Sequence, residues 1–348
     1  MIKAPIIPRT AVAGDRSGWQ QALARAYRTA GELLAALDLD DQVGAAVREA
    51  ARQFPVRVPR SFAARMGRGD PHDPLLRQVL PIEAETLAAP GYGPDPLDES
   101  AAMTAPGVLH KYHGRVLLTV TGACAVHCRY CFRRHFPYAQ ANAGAEDWAG
   151  ALAYLGSHPE VSEVILSGGD PLALADSRLS ALVGHLSAIP HLQRLRIHSR
   201  TPIVLPERVD GQLLDWLGST RLQTVIVVHA NHPNEIDDSV GQAMQALSGT
   251  GATLLNQSVL LKGVNDGADI LTSLSETLFD TGVLPYYLHQ LDRVAGGAHF
   301  EVDDRRALAL MGELHRRLPG YLVPRLVREE PGAPGKTALS SSVRTEPI

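Results

Sequence analysis

The sequence is poor in cysteine, in blocks of basic charge and in long apolar runs, and each shortage excludes something. Three cysteines in 348 residues cannot pair off as disulfides, and they fall one short of the four thiolates that usually close a zinc or iron-sulfur site. A formal net charge of -4 without a long basic block argues against a chain built to coat nucleic acid or an anionic membrane. No apolar run approaches the roughly 20 residues of a membrane span, and the first residues lack the apolar core of a signal peptide. A cytoplasmic location is therefore expected, in a reducing compartment that suits an oxidation-sensitive metal site. Internal repeats are lacking too, as are low-complexity tracts beyond Ala-rich helices.

What cysteine there is lies together. Cys124, Cys128 and Cys131 follow the spacing Cys-x3-Cys-x2-Cys. That spacing suits a cubane [4Fe-4S] cluster with three irons held by the protein and one open to a small chelating molecule. The competing reading is a zinc knuckle completed by His127 or His135. The densest basic cluster, Arg133, Arg134 and His135, adjoins the cysteines.

The length leaves room for one large domain or two smaller ones. Residues 19–53 are rich in Ala, Leu, Arg and Glu, and apolar positions such as Leu33, Leu34, Leu37 and Val43 predict helices. Through residues 54–106 prolines and glycines recur, which predicts a wrapping segment of short helices and turns with no chemistry of its own. Beyond Gly107 short apolar runs at 116–120, 164–166, 195–197, 224–228, 254–261 and 284–288 alternate with helix-length amphipathic stretches. Parallel strands need such crossovers, so the fold class is α/β, a partial (β/α)6 barrel. A final run at 321–327 adds an edge strand or helps to close the mouth. The expected division is a wrapping region at 1–106, the barrel at 107–320 and a C-terminal segment at 321–348.

Function in such barrels gathers on the loops after the strands, and the unusual polar residues fall there. Ser167-Gly168-Gly169-Asp170 leaves the second strand. It reads either as a turn with Asp170 near an N-cap, or as paired glycines that let the backbone approach a ligand's ammonium. Near the end, Gly335-Lys336-Thr337 invites comparison with a phosphate-binding loop. That motif needs a glycine where this chain has Glu330, and a following helix, so the comparison fails. A lysine in a Gly/Pro turn after a barrel strand suits imine formation with pyridoxal 5'-phosphate (PLP), against the plainer reading of an exposed tail lysine.

The cysteine spacing, the aromatic Tyr130 before the last cysteine and the apolar run upstream resemble the radical S-adenosylmethionine (SAM) superfamily. There the open iron binds the amino and carboxylate groups of SAM. Over residues 112–337 the chain resembles the lysine 2,3-aminomutase family within it. The resemblance rests on Arg115-Val116-Leu117-Leu118, the cysteine motif with Arg133-Arg134, Ser167-Gly168-Gly169-Asp170-Pro171-Leu172, Arg200-Thr201-Pro202-Ile203-Val204-Leu205-Pro206, Asn231-His232-Pro233-Asn234-Glu235-Ile236, Asn256-Gln257-Ser258-Val259-Leu260-Leu261, Pro285-Tyr286-Tyr287 and Gly335-Lys336-Thr337. The run Tyr321-Leu322-Val323-Pro324-Arg325-Leu326-Val327-Arg328-Glu329 and the short C-terminus resemble the branch that makes (R)-β-lysine for modifying elongation factor P.

The resemblance implies an isomerase using a [4Fe-4S] cluster on Cys124, Cys128 and Cys131, SAM and PLP. It implies that Lys336 holds PLP and that Arg115, with Lys111, binds its phosphate. Ser167, Gly168, Gly169, Asp170, His229 and Gln257 become SAM contacts, although a buried His or Gln is as readily structural. Arg133 would pair with the substrate carboxylate, where a planar fork suits the task. Asp292 and Glu329 would receive the distal ammonium of lysine, Glu329 standing where the lysine-catabolic enzymes carry aspartate. Implied partners are lysine, an unnamed electron donor, and elongation factor P with its ligase. Whether the chain forms a homodimer stays open. An aminomutase for another amino acid such as glutamate is disfavoured, since its side chain would meet like charges. The third reading is a non-catalytic iron-sulfur or zinc module, which has no use for a PLP lysine.

Overall fold

The computed structural model describes residues 18–40, 43–138, 141 and 148–340. One sheet runs through it in chain order: β1 (Met103–Ala105), β2 (Val108–Tyr112), β3 (Arg115–Thr121), β4 (Glu163–Gly168), β5 (Arg194–Ser199), β6 (Gln223–Val228), β7 (Thr253–Val259), β8 (Leu284–His289), β9 (Arg325–Arg328) and β10 (Thr337–Ala338). From β3 to β9 every pairing is parallel. Each parallel step is bridged by a helix: Ala149–Gly156, Asp176–Ser187, Gly211–Ser219, Asp238–Gly249, Ala268–Asp280 and Asp304–Arg317. The six expected strands are β3 to β8, and the run at 321–327 supplies the short β9.

Side chains alternate across these strands. Val116, Leu118 and Val120, Val164 and Leu166, Leu195 and Ile197, and Ile226 and Val228 face outward and share a core with Leu179, Leu182, Leu213, Val240 and Leu247 of the covering helices. The opposite face is mixed, with Leu117, Ile165, Val225 and Val227 beside Thr119, Ser167, Arg196 and His198. Glu163 on β4 pairs across it with Arg196 on β5, at 2.7 Å from Nε. The sheet curls far enough that the side chains of Lys111 and Tyr112 on β2 touch that of Glu329, the residue that follows β9. It is an open, partial barrel.

Two strands precede the first expected one. β1 and β2 form an antiparallel hairpin that turns at Pro106-Gly107, where Gly107 takes φ +72°. Their shortness and mixed polarity give no clear alternation, so sequence reasoning passed over them. Ahead of them come helices Gly18–Ala24, Ala30–Ala36 and Ala45–Gln53, then single turns at Arg60–Ala63 and Pro74–Arg77. Trp19, Leu33, Phe62, Leu75 and Leu76 from this region pack with Ala125 and Val126 of the cysteine loop and with Val204 and Leu205 beyond β5. A buried carboxylate, Glu85, fastens the same loop by pairing with both Arg129 and Arg134. The wrapping segment is thus a buttress for the loops where chemistry is expected. Among the described residues no helix is long and apolar enough to cross a membrane.

Candidate active site

The loop after β3 carries the three thiols. Burial pushes the Cys131 thiol up to about 12, and the neighbouring Cys128 adds to it. Burial, then Cys131 and Asp170, likewise raise Cys124. Such thiols become thiolates only when a cation takes up the charge. The histidines of the zinc reading are engaged elsewhere. His127 Nδ1 lies 2.8 Å from the Pro55 carbonyl and its ring stacks on Phe54, while His135 Nε2 faces the Ala295 carbonyl at 3.3 Å. A mononuclear zinc needs its ligands about 2.3 Å from one point, and no three Cys, His, Asp or Glu side chains gather so among the described residues. Three thiols that each serve a different iron have no such requirement.

The glycine turn packs directly on this loop. Gly169 N donates to Thr121 O at 2.6 Å and Asp170 N to Ala123 O at 2.8 Å. Gly168 has φ +116°, and a Cβ there would come within 2.6 Å of Thr121 O. The glycines are therefore required for backbone to meet backbone, a reason the sequence reading did not give. The N-cap reading of Asp170 also holds, with Leu172 N donating at 3.0 Å. The same carboxylate accepts from Ser199 Oγ, Arg200 N and Thr201 N, at 2.7, 2.9 and 3.0 Å, which ties the exit of β4 to that of β5.

A line of alternating charges leads from Lys336 to the cysteine loop. Lys336 Nζ donates to Glu329 Oε2 at 2.7 Å. Glu329 Oε1 lies 3.4 Å from Lys111 Nζ, which lies 3.5 Å from Glu99 Oε1. Glu99 grips Arg133 through Nε at 2.6 Å and Nη2 at 2.8 Å. Arg133 Nη1 in turn donates to Ser167 Oγ at 3.0 Å and Gly168 O at 3.2 Å. Lys336 is thus in the mouth, also 5.8 Å from the centre of the Tyr287 ring. Burial alone would raise Glu329, but Lys336 and Lys111 outweigh it and hold the carboxyl at about 2. Asp292 behaves oppositely: burial and then the charge of Glu329 push it up to about 7. Both carboxylates line a cavity of about 1150 Å3 that opens between residues 91–97 and 290–305.

The remaining predicted residues are spread around the same interior. His229 follows β6, and its Nε2 meets the Tyr130 hydroxyl at 2.8 Å with the two rings stacked. Gln257 sits on β7, half-buried and in register with Tyr287. Arg115 begins β3 at the opposite end of the strand from the cysteines. Its guanidinium lies over the Tyr112 ring at 4.6 Å, and the Tyr112 hydroxyl donates to Glu329 at 3.3 Å.

Sequence reasoning missed several residues here. Glu99 comes from the segment read as having no chemistry, and nothing in Asp95-Pro96-Leu97-Asp98-Glu99-Ser100 announces that it ends beside Arg133. Burial lowers the imidazoles of His198 on β5 and His289 on β8, and the charge of Lys336 adds to it. Their Nε2 atoms are buried with no hydrogen-bond partner among the described residues. Buried polar atoms are rarely left so, which marks this interior as a place for a polar ligand. Polar residues at every second position of an apolar strand were the available signal.

No family model matches the chain. Whole-chain relatives are plentiful. It is 51% identical over 333 residues to an L-lysine 2,3-aminomutase of Escherichia coli (strain K12), covering 95% of this chain and 97% of that one. To the L-lysine 2,3-aminomutase of Haemophilus influenzae it is 48% identical over 95% of this chain and 98% of the other. The enzyme of that name from Clostridium subterminale is 34% identical over 93% of this chain and 78% of its own length. Among solved structures, a radical SAM methyltransferase from Sphaerobacter thermophilus aligns over 64% of this chain and 68% of its own at 16% identity and a TM-score of 0.46, too distant to argue from. On the sequence relatives, the chain belongs to the lysine 2,3-aminomutase family of isomerases.

Proposed function

We propose that the protein converts L-lysine into (R)-β-lysine by moving the amino group from C2 to C3, with a [4Fe-4S] cluster on Cys124, Cys128 and Cys131, SAM and PLP. The observation that carries this reading is the run of opposed charges that links the Arg133 fork, through Glu99 and Lys111, to Glu329, which lines one cavity with Asp292. A zwitterion with a distal ammonium matches that pattern, and glutamate does not.

The residues present suit the groups invoked. Burial, with the neighbouring thiols adding to it, raises Cys124 and Cys131, a half-buried lysine lies beside an aromatic ring, and two imidazole nitrogens lack partners among the described residues. Bound together, the groups supply a 5'-deoxyadenosyl radical that removes hydrogen from an unactivated carbon and a conjugated ring over which nitrogen changes carbon. The chain's own part is placement and exclusion. Arg133 exchanges Glu99 for the substrate carboxylate, with its fork already oriented by Ser167 and Gly168. Asp292 and Glu329 take the ammonium, and a substrate longer or shorter than lysine misses one end. Lys336 supplies the amine that holds PLP, Lys111 and Arg115 the cations for its phosphate. Ser167 to Asp170, His229 and Gln257 face the SAM side. The covering helices and the wrapping segment keep water and stray hydrogen donors out.

Anaerobic incubation of reconstituted protein with SAM, PLP, dithionite and a panel of amino acids tests the reading. β-Lysine formed from lysine alone supports it; a β-amino acid from glutamate, or no product from iron- and PLP-loaded protein, overturns it. We further assign the product to modification of elongation factor P through its ligase, in the cytoplasm and with a cellular electron donor. The resemblance of residues 321–329 supports this. Unmodified elongation factor P in a deletion strain, restored by added β-lysine, is the expected result.

A further inference from the structure

Two of the segments that carry the family resemblance, Arg200-Thr201-Pro202 and Asn231 to Glu235, have no part in the chemistry above, yet they converge on the cysteine loop. Arg200 is buried just past β5, and its Nη1 donates to Cys128 Sγ at 2.7 Å. Its Nη2 donates to Gln78 Oε1 at 2.7 Å and to Glu235 Oε2 at 3.0 Å, while its backbone N is held by Asp170 at 2.9 Å. Glu235 is fully buried and fixed in turn: its Oε1 accepts from Asn231 N, Gln78 Nε2 and His232 N at 2.9, 3.0 and 3.1 Å. The guanidinium also lies between the Phe62 and Tyr130 rings, 5.4 and 5.6 Å from their centres. The cation is held at both Nη atoms, while its Nε is buried with no partner among the described residues. By contrast Arg57 donates to the Cys124 carbonyl.

A fixed positive charge and an N–H on a ligating sulfur stabilise the more negative state of an iron-sulfur cluster, and a buried carboxylate behind it opposes that effect. We propose that Arg200 sets the reduction potential of the cluster through Cys128, and that Glu235 trims it: Arg200 raises the potential and Glu235 lowers it. Arg200 is a positioning residue, acting on the metal through a ligand. The inference rests on the assignment of the three cysteines to a cluster.

The two members of the ion pair therefore act with opposite sign. Reconstituted protein without SAM is titrated with dithionite and mediators, and the one-electron reduced cluster is followed by electron paramagnetic resonance. In Arg200→Gln the ratio of reduced to oxidised cluster at the wild-type midpoint falls about tenfold, a shift of about 59 mV downward for one electron. In Glu235→Gln the same ratio rises, because the arginine charge has lost its counter-ion. A purely structural role moves both variants the same way or neither, and either result overturns the proposal. Should Arg200→Gln fail to load iron, Arg200→Lys, which keeps the charge, and Glu235→Gln decide it: an unmoved Glu235→Gln potential is fatal. Wild-type protein that binds no iron would instead refute the cluster assignment itself.

Discussion

Arg133 and Glu99 are locked to each other by two hydrogen bonds, at 2.6 and 2.8 Å, with both side chains buried. A bidentate carboxylate on this fork occupies the position that a substrate carboxylate would claim, so Glu99 holds the guanidinium ready. Removing one charge of a buried pair strands the other, at a cost of about 3 kcal/mol. Glu99→Gln is expected to lose stability on that order in urea unfolding and to raise KM for lysine. A variant as stable as wild type would show that the pair holds nothing in place.

Lys336 makes its short contact with Glu329 in the mouth. Lys336→Ala is expected to abolish mutase turnover, to leave iron content near normal, and to remove the absorbance that borohydride fixes to the protein. Undiminished turnover, or borohydride labelling at another lysine, would refute the role given to Lys336.

The parallel sheet was legible because its outward face is written in Val, Leu and Ile at alternate positions and each strand ends in an unusual polar loop. The hairpin of β1 and β2 was not, since short strands with residues such as Thr104 and His110 carry no periodic signal. For the site, motif residues near the strands were readable one by one. Their partners were not. Glu99 and Gln78 reach Arg133 and Arg200 from sequence positions 34 and 122 residues away, and only the packing of the wrapping segment against the cysteine loop brings them there. The glycines at 168 and 169 were singled out for approach to a ligand, whereas the backbone of Thr121 and Ala123 already requires them.

The two carboxylates of the mouth give opposite pH dependences. Asp292 has its value raised from 3.8 to about 7. Between those values the folded chain keeps a proton that the unfolded chain has lost, so its contribution to stability declines as pH rises through that window. Glu329 is lowered from 4.5 to about 2. Its contribution is present above 4.5 and is lost as pH falls towards 2. In the proposed role Asp292 must be ionised to hold the ammonium of lysine, so kcat/KM is expected to rise with pH to a plateau above about 7. Asp292→Asn should remove that limb and flatten the decline in stability between pH 4 and 7. A rising limb that survives in Asp292→Asn would assign it to another group.

Gly169 offers a test that separates cluster assembly from folding. A Cβ added there would stand 2.7 Å from the Gly122 carbonyl carbon and nearer still to Ala123 O. Both are backbone atoms of the cysteine loop, so no rotamer change relieves the clash and the loop itself must shift. Overpacking of this kind costs about 1–3 kcal/mol, a tolerable loss for a domain of this size, but displaced thiols could no longer share the proposed cluster. Gly169→Ala is therefore expected to fold, with a lowered Tm, and to retain less than roughly half the wild-type iron after reconstitution. Gly218, inside the helix Gly211–Ser219, has nothing within 4 Å of the same added atom. Gly218→Ala should gain about 0.4–1 kcal/mol from reduced backbone entropy and bind iron normally. Equal iron contents in the two variants would show that the glycine turn does not position the cysteines.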